Sequence, residues 1–141
     1  FRWSFQDKYF AKQGLDGIYM YDIEVKIREK KSNLMMNNVF FYEFQLVDKK
    51  PFKIPSISDF QWSPTENRLV YWTAEDGNVP ARLVLAEVNG TRLDEVRSKT
   101  LFNVIGCKLC WQKRGDYVVV KVDRYGKKSG DKNNAKYTVR E

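Results

Sequence analysis

The chain reads as all-β, a fragment of a WD40-like β-propeller with two four-stranded antiparallel blades and part of a third. Three observations carry that expectation. A phrase made of a tryptophan, a polar turn of about five residues and an apolar strand occurs three times, as FRWSFQDKYFAK from Phe1, FQWSPTENRLVYW from Phe60 and LCWQKRGDYVVVK from Leu109. Its tryptophans, Trp3, Trp62 and Trp111, recur at a spacing somewhat above the ~40–50 residues of a four-stranded propeller repeat. The composition, 43% hydrophobic with 15% aromatic residues, supplies the Tyr, Phe, Val and Trp that suit a pleated, half-buried surface.

In the middle unit, alternation places a first strand at Ile57–Trp62, a second at 68–72, a third at 82–88 and part of a fourth at 100–104. Ser63-Pro64-Thr65-Glu66-Asn67 makes the first turn. Asn89-Gly90, whose residues both accept positive φ, marks a hairpin after the third strand. In the first unit GIYMYD, residues 17–22, ends in Tyr21-Asp22 where the Trp-Asp dipeptide of a propeller repeat closes its third strand, and Ala86-Glu87 holds that place in the second unit. The Gly-His that opens such repeats is absent, because the chain contains no His. These assignments divide the chain into a blade over about 1–54, a second over about 55–104 and an incomplete third over about 105–141. Beginning and ending inside repeats, it reads as part of something longer, since a closed propeller needs about four blades or more.

The units differ in two places. The loop between second and third strands grows from 12–16 to 73–80 and then to about 123–134, all on one face, where propellers often bind partners. A second excess, residues 26–50, reads as a long turn through SNLMMNN followed by an outer strand at 39–47, with a short helix over 33–38 as an alternative.

Charge points to polyanions. With 25 Lys plus Arg against 18 Asp plus Glu, the formal net charge is +7, a balance that favours phosphate-bearing partners through counterion release. The basic excess concentrates in residues 26–31, with four basic and one acidic, and in residues 121–141, with seven basic and three acidic, so Lys30, Lys31, Arg124, Lys127, Lys128 and Lys132 are the candidate residues facing a polyanion such as RNA. The competing reading is that such runs merely keep long loops solvated. Tyr9, Tyr19, Tyr21, Tyr71, Trp72 and Tyr117 would stack on bases if a sheet face were open, but stacked blades bury those faces. Trp3, Trp62 and Trp111, used once per repeat, are read as framework.

Nothing points to catalysis. Cys107 and Cys110 have C-x-x-C spacing, yet zinc needs about four ligands, and residues three apart on a strand point to opposite faces. Two cysteines make no disulfide framework and fit a reducing compartment. Asp116, after Gly115, reads as a turn former. No run of about 18 apolar residues predicts a helical membrane span. No cofactor, metal or small-molecule substrate is expected.

The strings DFQWSPTENRLVYW, VPARLVLAEV and KTLFNVIGCKLCWQKRGDYVVVKVDR closely resemble the propeller of the b-subunit of eukaryotic translation initiation factor three, most specifically from Leu101-Phe102-Asn103-Val104 through Val120-Lys121-Val122-Asp123-Arg124. The resemblance covers residues 56–124. It implies a non-catalytic, cytoplasmic scaffold whose partners are other subunits of that factor and the small ribosomal subunit. The initiation factor two-A family shares the propeller and the Trp-Ser-Pro turns but fits the later strings less well. A propeller that binds an acidic protein without ribosomes, and a propeller enzyme, are the readings from other classes.

Overall fold

A computed structural model describes residues 1–29, 38–125 and 135–140. The described residues contain no α-helix. Their only helical turns are the 3₁₀ turns Phe5–Asp7 and Val47–Lys49. The strands make three antiparallel sheets in sequence order.

The first sheet holds β1 (Arg2–Trp3), β2 (Tyr9–Gln13), β3 (Gly17–Glu29) and β4 (Asn38–Leu46), with β5 (Phe52–Lys53) beside the start of β3. β4 and β5 share one edge of β3: Leu46 faces Tyr21 and Phe52 faces Ile18. They form one outer strand, broken where Lys49 turns to a positive φ of 56°. The second sheet runs β6 (Ile57–Trp62), β7 (Arg68–Thr73), β8 (Ala81–Asn89) and β9 (Arg92–Leu101). The third runs β10 (Val104–Trp111), β11 (Tyr117–Arg124) and β12 (Ala135–Arg140).

The period of two along a strand decides which side chain enters which interface. In β7, Leu69 and Tyr71, with Phe60 of β6, pack against Ile18 and Met20 of the first sheet, while Val70 and Trp72 pack with the third around Leu109, Val118 and Val120. The central sheet is therefore apolar on both faces, and its strands read as nearly continuous apolar runs, RLVYWT and ARLVLAEVN. Burying each such aliphatic side chain contributes roughly 1.5–3 kcal/mol. β9 is the outer edge of its sheet and is charged and mostly exposed, with a bulge against Leu85 and Ala86, features that discourage pairing with other chains.

The repeat is geometric as well as textual. The residue after each tryptophan closes the same turn: Ser4 N–H donates to Tyr9 O at 2.9 Å, Ser63 to Arg68 at 2.8 Å and Gln112 to Tyr117 at 3.0 Å. Across the first hairpin of each unit, Trp3 lies opposite Phe10, Trp62 opposite Leu69 and Trp111 opposite Val118.

Four expectations need correction. The fourth strand of the middle unit is Arg92–Leu101, not 100–104, because β9 pairs with β8 directly after the hairpin and Val104 already opens β10. The hairpin stands where expected, but Asn89 pairs with Arg92, so its corner is Gly90-Thr91. Positive φ is needed only at Gly90, at 58°. β3 continues past Asp22 to Glu29, since β4 extends the ladder beyond the end of β2. In the 26–50 stretch, residues 26–29 are strand, and the outer strand ends at Leu46. The alternative helix over 33–38 falls largely outside the described residues, and Asn38 begins β4.

Candidate interaction surface

The tryptophans meet at the first strands of the three sheets. Trp62 Nε1–H donates to the carbonyl of Arg2 at 3.2 Å, and Trp111 Nε1–H donates to the carbonyl of Gln61 at 3.3 Å. Each acceptor is the residue just before the tryptophan of the preceding unit, so one contact is made twice in the same register. Trp62 is buried, Trp111 is half-buried and Trp3 is 49% exposed. The ring of Tyr9 lies parallel to Trp62 with centroids 6.3 Å apart, closing the first interface. Trp62 and Trp111 thus each join two successive sheets.

Along them runs an open groove of about 550 Å³, lined by Arg2, Trp3, Gln61, Trp62, Pro64, Trp111 and Lys113 among others. Its charged side chains, Arg2 and Lys113, are both cationic. Arg2 also reaches the second sheet, 2.8 Å from Asp59 and with its guanidinium carbon 5.0 Å from the Phe60 ring centroid.

Of the predicted basic residues, Lys30, Lys31, Lys127, Lys128 and Lys132 lie outside the described residues. Arg124 is half-buried at the end of β11. Segments 30–37 and 126–134 carry five Lys and one Asp, hence +4 of the chain's +7. Several other basic residues are paired with acidic neighbours: Arg82 with Glu95 at 3.1 Å, Arg92 with Asp94 at 2.9 Å and Lys121 with Asp123 at 3.0 Å. Hydrogen bonds from Asn89 and then Arg92 hold the Asp94 carboxyl below its ordinary range. The tyrosine reading divides: Tyr9 and Trp72 are buried, Tyr19, Tyr21 and Tyr71 half-buried, and Tyr117 39% exposed.

The cysteines diverge as the strand period requires. Cys107, opposite Val122, is half-buried against the core, and Cys110, opposite Val119, is exposed. Burial, and secondarily the charge of Asp123, push the Cys107 thiol up to about 11, so it stays protonated at neutral pH. Among the described residues no group of three or more His, Cys, Asp or Glu could hold a metal ion, and no helix is long and apolar enough to cross a membrane. Asp116 serves its turn: its N–H donates to Gln112 Oε1 at 3.3 Å, and its carboxylate pairs with Arg114 at 3.2 Å.

Antiparallel sheets packed face to face, tied at their first strands by a contact repeated once per unit, define a segment of a β-propeller. No protein-family model matches the chain. It is similar to the B-subunit of eukaryotic translation initiation factor 3 from Bombyx mori, at 46% identity over 138 residues, which is 98% of this chain and 17% of that protein. The same protein from Aedes aegypti is 44% identical over 96% of the chain and 17% of its own length. That from Drosophila melanogaster is 42% identical over 95% of the chain and 16% of its own length. The chain is a relative of a segment of this B-subunit, and the resemblance drawn from residues 56–124 extends along nearly all of it. It spans about one sixth of the length of the curated relatives it matches.

Proposed function

We propose that the chain is part of a non-catalytic propeller scaffold acting in translation initiation, as the B-subunit does within eukaryotic translation initiation factor 3. The observation that carries this reading is the 42–46% identity to that protein along nearly the whole chain. The proposal includes cytoplasmic location, partnership with other subunits of the factor, and contact with the small ribosomal subunit. Two properties support the last of these: the net charge of +7, and the concentration of that charge around Lys30, Lys31, Lys127, Lys128 and Lys132, with Arg124 beside the second group. Cationic clusters on a rigid scaffold gain affinity for RNA by releasing counterions. The proposed units are blades over about 1–54, 55–104 and 105–141. The ends of β5 at Lys53 and β9 at Leu101 support those divisions.

The test is capture of the tagged full-length parent from extract, with and without nuclease. Recovery of small-subunit ribosomal proteins together with several initiation-factor subunits is expected, and the factor subunits should survive nuclease. Association only with a non-ribosomal acidic protein, insensitive to nuclease, would replace this reading. Lys127, Lys128 and Lys132 changed together to Glu should weaken recovery of ribosomal subunits while leaving the factor subunits in place.

A further inference from the structure

The geometry points to a docking site for a short protein segment in the cleft between the loop at 74–80 and the linker Phe102-Asn103. The segment it fits presents one large apolar side chain flanked by Lys or Arg. The cleft lies at the start of β10, about 23 Å along that strand from the tryptophan groove at its other end, and it is independent of the translational reading.

The second and third units build this corner by one rule. Ser56 and Asn103, each just before its unit's first strand, both take a φ of 57°, and their carbonyls accept the N–H of Ala74 at 2.9 Å and of Tyr125 at 3.0 Å. Two residues further on, Ser58 and Ile105 are each the extra residue of a bulge, between Ile57 and Asp59 and between Val104 and Gly106. A bulge re-aims the side chain it carries. Pro55 and Phe102 are therefore equivalent, as are Ser58 and Ile105. Where the second unit has Pro and Ser, the third has Phe and Ile, 60% and 56% exposed. The repeat has no packing need for these apolar groups, because the second unit builds the same corner without them. Nor do they await a following unit: Pro55 and Ser58 stay exposed although the third sheet is stacked on theirs.

Phe102 and Asn103 line a cleft of about 190 Å³ together with Glu75, Val79 and Pro80, and Val79 is itself 61% exposed. The volume falls below the ~300–1,000 Å³ of a small-molecule site and suits a single side-chain anchor. The loop is braced: Val104 N–H donates to Glu75 Oε1 at 3.3 Å, Ser56 Oγ–H donates to Asp76 Oδ2 at 3.0 Å, and Asp76 and Val79 exchange backbone hydrogen bonds across the turn. A braced cleft loses little freedom when it binds. Of the described residues lining it only Glu75 is charged, and Asp76 follows it, so this corner is anionic in a chain of net charge +7. Two carboxylates repel phosphate and attract Lys or Arg, which selects a basic protein segment over RNA.

The test is a phage library of short random peptides panned on the full-length parent and counter-panned on its Phe102→Ser variant. Surviving peptides should share one Leu, Ile, Met or Phe with Lys or Arg beside it, and synthetic copies should bind the wild type about tenfold more tightly than the variant, the worth of one buried anchor. Glu75→Gln with Asp76→Asn keeps both acceptor oxygens and removes both charges. Affinity should then fall about fivefold at low salt, and the gap should close at high salt. If Phe102→Ser does not fold, this pair serves for the counter-panning. Failure to recover peptides that distinguish wild type from variant, a consensus without a cation, affinity indifferent to the two carboxylates, or photo-cross-linking of the linker to RNA or to a second copy in place of peptide would overturn the site.

Discussion

Arg2 ties the first sheet to the second through Asp59, with 2.8 Å between guanidinium and carboxylate oxygen, while it also lies over the ring of Phe60. Phe60 is 2% exposed, so the guanidinium covers the rim of the first core. The ion pair is itself more than a third exposed on the Arg2 side. Solvent screening therefore limits it to about 0.5–1 kcal/mol. A double-mutant cycle of Arg2→Met and Asp59→Asn in the parent protein should give a coupling of that size and lose most of it in 1 M salt, where the Debye length is about 3 Å. A coupling above about 2 kcal/mol would mean that the pair is more desolvated than its exposure indicates.

Trp62 and Trp72 are both buried, yet only one has an acceptor. Trp62 Nε1 bonds to Arg2 O, whereas Trp72 Nε1 is buried with no partner among the described residues. Removing a satisfied donor costs about 1 kcal/mol net, while removing an unsatisfied one relieves a desolvation penalty. Trp62→Phe should lower the unfolding midpoint of the parent, and Trp72→Phe should cost distinctly less. Equal losses would show that ring volume and not the indole N–H sets the difference.

Cys107 and Cys110 should react unequally. At pH 8 a maleimide should modify Cys110 quickly and Cys107 slowly, because Cys107 is half-buried and its thiol is raised to about 11. The raised value also gives a stability trend. Below about pH 9 both folded and unfolded chains keep this proton, and the fold is unaffected. Between about 9 and 11 only the unfolded chain loses it, so stability declines with rising pH through that window. Cys107→Ala should flatten the decline, as measured by denaturant titration at pH 8 and pH 10.

Gly115 joins two turns. It has a positive φ of 78°, and a Cβ there would overlap Thr65 Oγ1 in the turn of the preceding unit. Gly115→Ala should destabilise by about 1–3 kcal/mol from backbone strain and contact together. Combining it with Thr65→Ala should recover the contact share and leave the strain. Full recovery would mean that the backbone accommodates alanine freely.

The repeat, and through it the class of fold, is legible in the order of residues alone. Alternation placed β6, β7 and β8 nearly to the residue, because the central sheet is apolar on both faces and its strands are bounded by strong turn formers such as Pro64 and Gly90. The start of β9 was not legible, since an exposed, charged edge strand such as Arg92–Leu101 carries little apolar period. Tertiary structure alone decided that Leu69 and Val70 enter different cores, and that Trp62 and Trp111 each bond a carbonyl fifty or more residues earlier in the chain. It also decided that Arg124, one of the cations read as facing a partner, is half-buried at the end of its strand. A one-dimensional pattern records which residues share a face. Which neighbour covers that face, and which donor reaches across it, is fixed only when the sheets stack.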